Sequence, residues 1–209
     1  MKLGWTSRGY LPHRDEVGLI QFITLRLADS LPQEVVEEMQ ALAKTPNGLV
    51  EGRRRAEKYL DSGYGSCTLG RSEIANMVEK AMLHRHPDVW ELFAWTIMPN
   101  HLHMLLRFAD DIAMAKVLQV FKGWTANQAN GMLGVRGTYW FREYHDRYIR
   151  DERHFANCLA YIDVNSVKAG LCERAEDWAF GSARFRGLSY GRQDCRRSHR
   201  PPAGVKIDP

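Results

Sequence analysis

Two histidines with one residue between them, His101 and His103, lie in the stretch Trp95–Arg107 (WTIMPNHLHMLLR). Side chains alternate between the faces of a β-strand, so on a strand these imidazoles share a face with Leu105 and Arg107. Leu102, Met104, Leu106 and Phe108 then form an apolar row on the other face. Paired imidazoles in front of a buried row make half of a metal site. A short HxH pattern is more often two unrelated histidines on a half-buried strand, so a second element has to supply the rest.

Asp151 caps a helix that the spacing carries to about Ser166, with Phe155, Leu159 and Ile162 as its buried stripe. Tyr161 lies about 100° around from Ile162, and Asn165 stands one turn above Tyr161 on the same face. Two imidazoles and an amide oxygen suffice for one divalent cation, with positions left for substrate and water. Magnesium (Mg2+) prefers oxygen ligands and a His-His-Asn set also suits manganese (Mn2+), so both stay open. A phenol ionises near pH ~10, so a tyrosine at neutral pH needs a Lewis acid or a base to become a competent nucleophile. A cation on a non-bridging phosphate oxygen makes the phosphorus more electrophilic and stabilises transition-state charge. The plainer alternatives are a core tyrosine and a helix-capping asparagine. Tyr148 is a rival nucleophile, but it precedes the helix and has no polar partner one turn on. His84 and His86 form a second HxH on a helix, where residues two apart point roughly 200° apart, so they read as a C-terminal cap rather than a ligand pair.

Several elements must position these groups. Val17 to Leu27 (VGLIQFITLRL) reads as a central strand, with Ile23, Leu25 and Leu27 on one face and Phe22, Thr24 and Arg26 on the other. Ser30 is the expected N-cap of a helix with Pro32 in its first turn and Val35, Val36, Met39 and Leu42 as its stripe. Pro46-Asn47-Gly48 breaks it, and a charged, mostly exposed helix follows from Glu51 to Leu60. Ser72 is expected to cap a helix bearing Ile74, Met77, Val78, Ala81 and Met82. Trp90–Ile97 and His101–Phe108 pair as antiparallel strands across Pro99-Asn100. A long helix from Asp110-Asp111 turns Met114, Val117, Leu118, Phe121 and Trp124 inward and leaves Lys116 and Lys122 wet. Thr138 to Arg150 is a strand plus loop, and Gly170 closes the last helix. Short antiparallel pairing with interspersed helices gives an α+β fold, helices packed on one face of an antiparallel sheet.

The chain has 209 residues, enough for one domain with a substantial core, expected over residues 1–187 and including a helical insert at about 31–90. Apolar residues make up 44%, and no apolar run approaches a membrane span or a secretory signal, which points to a cytoplasmic protein with no membrane partner. Cys67, Cys158, Cys172 and Cys195 never fall at CxxC spacing and read as ordinary thiols. Net charge is +4, a mild bias toward polyanions. Residues 188–209 lose apolar periodicity and gain arginine, as a solvated basic tail or a phosphate-tracking arm would. Trp140, Arg142, Arg147 and Arg150 suit base stacking and phosphate contact as well as they suit strand packing, and Lys122 is a further candidate DNA contact.

TIMPNHLHMLLR, YHDRYIRDERHF and Tyr161–Gly170 (YIDVNSVKAG), taken in that order, closely resemble the REP-associated tyrosine transposases, relatives of the single-tyrosine HUH transposases of bacterial insertion sequences. The stretches RGYLPHR and GLIQFITLRLADSLP resemble one subgroup, and the resemblance as a whole covers most of the chain to about Gly187. It implies a ferredoxin-like α+β domain of the HUH single-tyrosine transposase type. His101 and His103 match the metal ligands, Asn165 the polar third ligand, and Tyr161 the nucleophile that forms a 5′-phosphotyrosine link. The implied substrate is single-stranded DNA bearing short palindromic (REP-type) hairpins, handled by a bacterial protein that is a monomer or homodimer. Ser166 stands where relatives usually carry proline, and the insert is longer than in minimal insertion-sequence enzymes. A hairpin-binding protein with little cleavage, and a metal phosphodiesterase using activated water, are the competing functional readings.

Overall fold

The structure is a computed structural model that describes residues 4–7, 12–14, 16–110 and 112–186. Its centre is an antiparallel sheet of four strands in the order β4-β5-β3-β6, formed by β3 (Ile20–Arg26), β4 (Trp90–Ile97), β5 (His101–Phe108) and β6 (His145–Tyr148). β1 (Trp5–Ser7) and β2 (Pro12–Arg14) make a separate two-stranded ribbon. The helices are α1 (Gln33–Leu42), α2 (Gly48–Asp61), α3 (Ser72–Leu83), α4 (Met114–Leu133), α5 (Glu152–Lys168) and the short α6 (Ala183–Arg186). The sheet, its antiparallel pairing and the α+β class are those read from the sequence.

The distribution of helices differs in one respect. α3 and α4 cover the face that carries Ile23, Leu25, Leu102, Met104 and Leu106, and they close the larger core there. α5 lies on the opposite face, where Phe155, Cys158, Leu159 and Ile162 pack on Ile20, Phe22, Ala94 and Leu105. Helices therefore occupy both faces rather than one. Leu105 explains why: it shares the histidine face by strand alternation and is fully buried, so that face needs a cover of its own.

α1 and α2 form a hairpin with a small core of its own, built from Leu31, Val35, Val36, Met39, Ala56 and Leu60 and leaning on Phe141. A glycine is required at position 48, because a Cβ there would run into the Leu42 carbonyl. α2 is thus less exposed than its charge suggests, burying Gly52, Ala56 and Leu60 toward α1.

The helix ends divide. Asp151 caps α5 as expected, its carboxylate accepting from the His154 amide at 2.6 Å. Ser30 is not a cap; its hydroxyl donates back to the Leu27 carbonyl at 2.7 Å, and Pro32 occupies the N-cap of α1. Arg71, not Ser72, precedes α3, with no side-chain cap. α4 starts at Met114 rather than at Asp110, and Trp124 lies on its outer surface, 45% exposed, instead of facing inward. Asp111 and the basic segment 188–209, with Cys195, lie outside the described residues. Among the described residues, no helix is long and apolar enough to cross a membrane.

Candidate metal and nucleophile site

β5 sets the two histidines. Its register against β3 places His103 opposite Thr24 and His101 opposite Arg26. The rings share one face of the sheet, with centroids 4.6 Å apart and planes at 73°. Thr24 Oγ1 lies 2.8 Å from Nδ1 of His103, leaving Nε2 as the nitrogen available to a ligand. Burial pushes the pKa of His101 down to about 3, and burial followed by the neighbouring His101 and His145 holds that of His103 well below the ordinary histidine value. Both rings are therefore neutral near pH 7.

Asn100 fixes the tautomer of His101. Its amide nitrogen donates to the Tyr64 carbonyl at 3.0 Å, so the amide oxygen is the atom 2.7 Å from His101 Nδ1. A carbonyl-type oxygen can only accept, which places the proton on Nδ1 and the lone pair on Nε2. That Nε2 is buried and has no hydrogen-bond partner among the described residues. A buried acceptor left unpaired costs about 1–3 kcal/mol, so it calls for an explanation.

α5 brings up the other half. The Tyr161 ring lies 5.4 Å from the His103 ring and 5.9 Å from Phe22, with the Lys168 ammonium 5.2 Å from its centroid. The phenol pKa is raised, first by burial and then by Glu57 and Asp61 of α2; a hydrogen bond from Asn165 and the charge of Arg53 oppose the shift. Asn165 is buried, and its Oδ1, like Nε2 of His101, has no hydrogen-bond partner among the described residues. Sequence spacing thus gathers all four residues, the imidazole pair and the Tyr161–Asn165 pair, on one side of the sheet. Tyr148 falls on the opposite face of β6 from His145, with Arg14 stacked 4.4 Å over its ring.

The DNA-contact candidates scatter. Trp140 does not present its ring: it is 4% exposed in the larger core and donates its indole N–H to Thr125 Oγ1 at 2.9 Å. Lys122 is not a wet lysine. Its ammonium donates to the Phe141 and Arg142 carbonyls at 2.6 and 2.8 Å, and burial lowers its pKa to about 8. Arg142, Arg147 and Arg150 are exposed, and Arg147 borders the same cleft as Tyr161.

Two residues near the site had no sequence signal of their own. His145 pairs with Thr24 across β3, so His103, Thr24 and His145 run in a row over three strands. Asn100 is visible only as the neighbour of a histidine. Among the described residues, no three His, Cys, Asp or Glu side chains cluster as a metal site. Any cation here would take two imidazoles plus an amide or substrate oxygen.

The class these features define is seen in comparison with known proteins. Residues 71–165 match the family described as Transposase IS200 like. Over 103 residues the chain is 29% identical to a Haemophilus influenzae protein provisionally named a REP-associated tyrosine transposase, covering 44% of this chain and 58% of the relative. Over 95 residues it is 26% identical to the REP-associated tyrosine transposase of Escherichia coli strain K12, covering 44% of this chain and 54% of that one. The chain thus spans a little over half the length of these curated relatives. Its fold matches the solved structure of a REP-associated tyrosine transposase bound to a REP hairpin, with a TM-score of 0.50, 17% identity, and coverage of 90% of this chain and 86% of the other. The likeness to REP-associated tyrosine transposases carried by the motifs is shown, and the fold is theirs.

Proposed function

We propose that this protein is a divalent-metal-dependent DNA nicking and strand-transfer enzyme acting on single strands that carry short palindromic hairpins. The observation that carries the reading is the pair of buried, unpartnered acceptors, Nε2 of His101 and Oδ1 of Asn165, on the side of the sheet that holds the Tyr161 phenol. This donor set fits a cation. His101, His103 and Asn165 would hold it, and Mg2+ or Mn2+ there would polarise a phosphodiester and lower the barrier to attack on phosphorus.

The chain's own residues account for the rest. Asn100 and Thr24 hold the imidazoles by Nδ1 and present Nε2. Asn165, one turn along α5, favours the ionised form of the phenol. Tyr161 Oη attacks phosphorus, a P–O(Tyr) bond forms as the P–O3′ bond breaks, and the phenol proton is lost as a 3′-hydroxyl is released. The product is a 5′-phosphotyrosine that a second 3′-hydroxyl can reverse, so rejoining needs no ATP. The solved fold neighbour is bound to a REP hairpin, and we extend that ligand class to this chain.

The test uses a single-stranded oligonucleotide that carries a short palindromic hairpin of the REP type with single-stranded flanks. With Mn2+ or Mg2+ the protein should give an SDS-resistant covalent adduct. Tyr161→Phe should give none while binding the hairpin within about twofold of wild type, and an adduct from Tyr161→Phe would overturn the assignment.

One observation favours a second reading, a hairpin-binding protein with marginal cleavage. Burial together with Glu57 and Asp61 makes the Tyr161 phenol harder to ionise than a free tyrosine. Tight hairpin binding without adduct or nick across titrations of both metals would select it.

A further inference from the structure

The insert hairpin brings charge to the nucleophile. Arg53, Glu57 and Asp61 lie at i, i+4 and i+8, one stripe of α2. Arg53 and Glu57 face Tyr161 across a cleft of about 260 Å³ whose walls also include Arg147 from β6 and Asn157 from α5. A smaller cavity of about 60 Å³ beside His103 shares Arg53, Glu57 and His145 with it, so α2 also walls the space next to His103. Ligand pockets run about 300–1,000 Å³, so the larger cleft has room for one nucleotide rather than several.

From this cleft we infer that α2 is the second wall of the strand-binding site: Arg53 and Arg147 grip the phosphate beside Tyr161, and Glu57 reads an amine-bearing base. The inference rests on the reading of Tyr161 as the strand-transfer nucleophile. Both guanidiniums act on one region, since their charges together bear on His145, Cys158 and His154. Arg53 is only loosely engaged by its own helix: its Nε lies 3.7 Å from Glu57, beyond hydrogen-bond range. Among the described residues, the Arg147 guanidinium donates to the soft Cys158 sulfur, at 3.8 Å.

Glu57 gives the orientation. A carboxylate beside a polyanion is repelled by the backbone, so the phosphates must run on the arginine side. The carboxylate then faces the base, where it can only accept a hydrogen bond. Cytosine N4 offers such a donor and thymine offers none at its O4. Asp61 lies one turn further along α2, and the Lys168 ammonium counters its charge.

The experiment uses the full chain carrying Tyr161→Phe, with fluorescein-labelled dC12 and dT12 as probes and affinity followed against salt at pH 8. The Tyr161→Phe chain should favour dC12 by at least about fivefold. Glu57→Gln should remove that preference and leave dT12 binding within twofold. Arg53→Ala should weaken both probes and flatten the slope of log K against log[salt] by about 0.7, the value for one lost single-strand phosphate contact, and Arg53→Lys should restore the slope. Thermal melts of each variant matching the parent would exclude misfolding. Equal binding of dC12 and dT12 by the parent, or an unchanged slope in Arg53→Ala, overturns the inference. The adduct assay with Tyr161 intact separates the two readings: adduct formation with no Arg53 or Glu57 effect sinks the cleft assignment alone, whereas base preference without any adduct sinks strand transfer alone.

Discussion

Asn100 decides which nitrogen of His101 carries the lone pair, and it does so from outside any ligand set. The relay from the Tyr64 carbonyl through the Asn100 amide to Nδ1 presents a lone pair on Nε2. Removing it frees the ring to take the other tautomer or rotate. Asn100→Ala should therefore weaken Mn2+ binding by about 10–100-fold, the usual cost of losing an outer partner, as isothermal titration calorimetry would read. Unchanged affinity would mean the relay is only packing. Lys122 offers an independent check on burial. Its folded pKa of about 8 lies below the unfolded value of about 10.4, so between those pH values the unfolded chain binds more protons and stability rises with pH. Below pH 8 both states are charged and this contribution is flat. An NMR titration of the lysine ε-carbons should show one lysine turning over near pH 8, absent in Lys122→Met. At this scale the ligand and nucleophile candidates were legible because period two on a strand and period 3.6 on a helix fix which side chains share a face. His145 was not: its place in line with His103, across Thr24 of β3, follows from sheet order, which no local pattern encodes.

Trp140 shows how an element can mislead. The stretch Tyr139 to Arg150 alternates aromatic and basic residues, as a nucleic-acid platform does, yet only its arginines are exposed. An isolated bridge between Leu27 and Trp140 draws that end of the segment into the larger core. Trp140→Phe keeps a ring that could stack on a base but deletes the indole donor to Thr125 and part of the core volume. It should cost about 1–2 kcal/mol in urea unfolding and leave hairpin affinity unchanged. A loss of affinity at constant stability would return Trp140 to the DNA surface. α2 misleads in the opposite sense. Its charges mark it as a solvated helix, but the buried stripe Gly52–Ala56–Leu60 consists of small and medium residues that give little hydrophobic signal. What places its charged stripe against Tyr161 is the tight turn at Gly48 and the packing on Phe141, both tertiary.

At the level of the molecule, the segment that matches the transposase family is not the unit that folds. Residues 71–165 include β4, β5, β6 and most of α5 but omit β3. β3 is an interior strand, paired over its whole length with β5 and over four residues with β6. Without it β6 has no neighbour and β5 exposes an unpaired edge. Ile20, Ile23 and Leu25, each no more than 1% exposed, would also be missing from the two cores. Thr24, the partner of His103 Nδ1, goes with them. The sequence made this strand legible as Val17–Leu27, a β-branched and aromatic run, but not its central position, because its partners lie far along the chain. A fragment spanning 71–186 should therefore lack a cooperative thermal transition and bind no Mn2+, whereas one spanning 16–186, which keeps β3 and the insert, should melt cooperatively. Circular dichroism melts of the two fragments make the comparison. Cooperative unfolding of the shorter one would mean that β5 and β6 find another partner, and that the histidine site does not depend on β3.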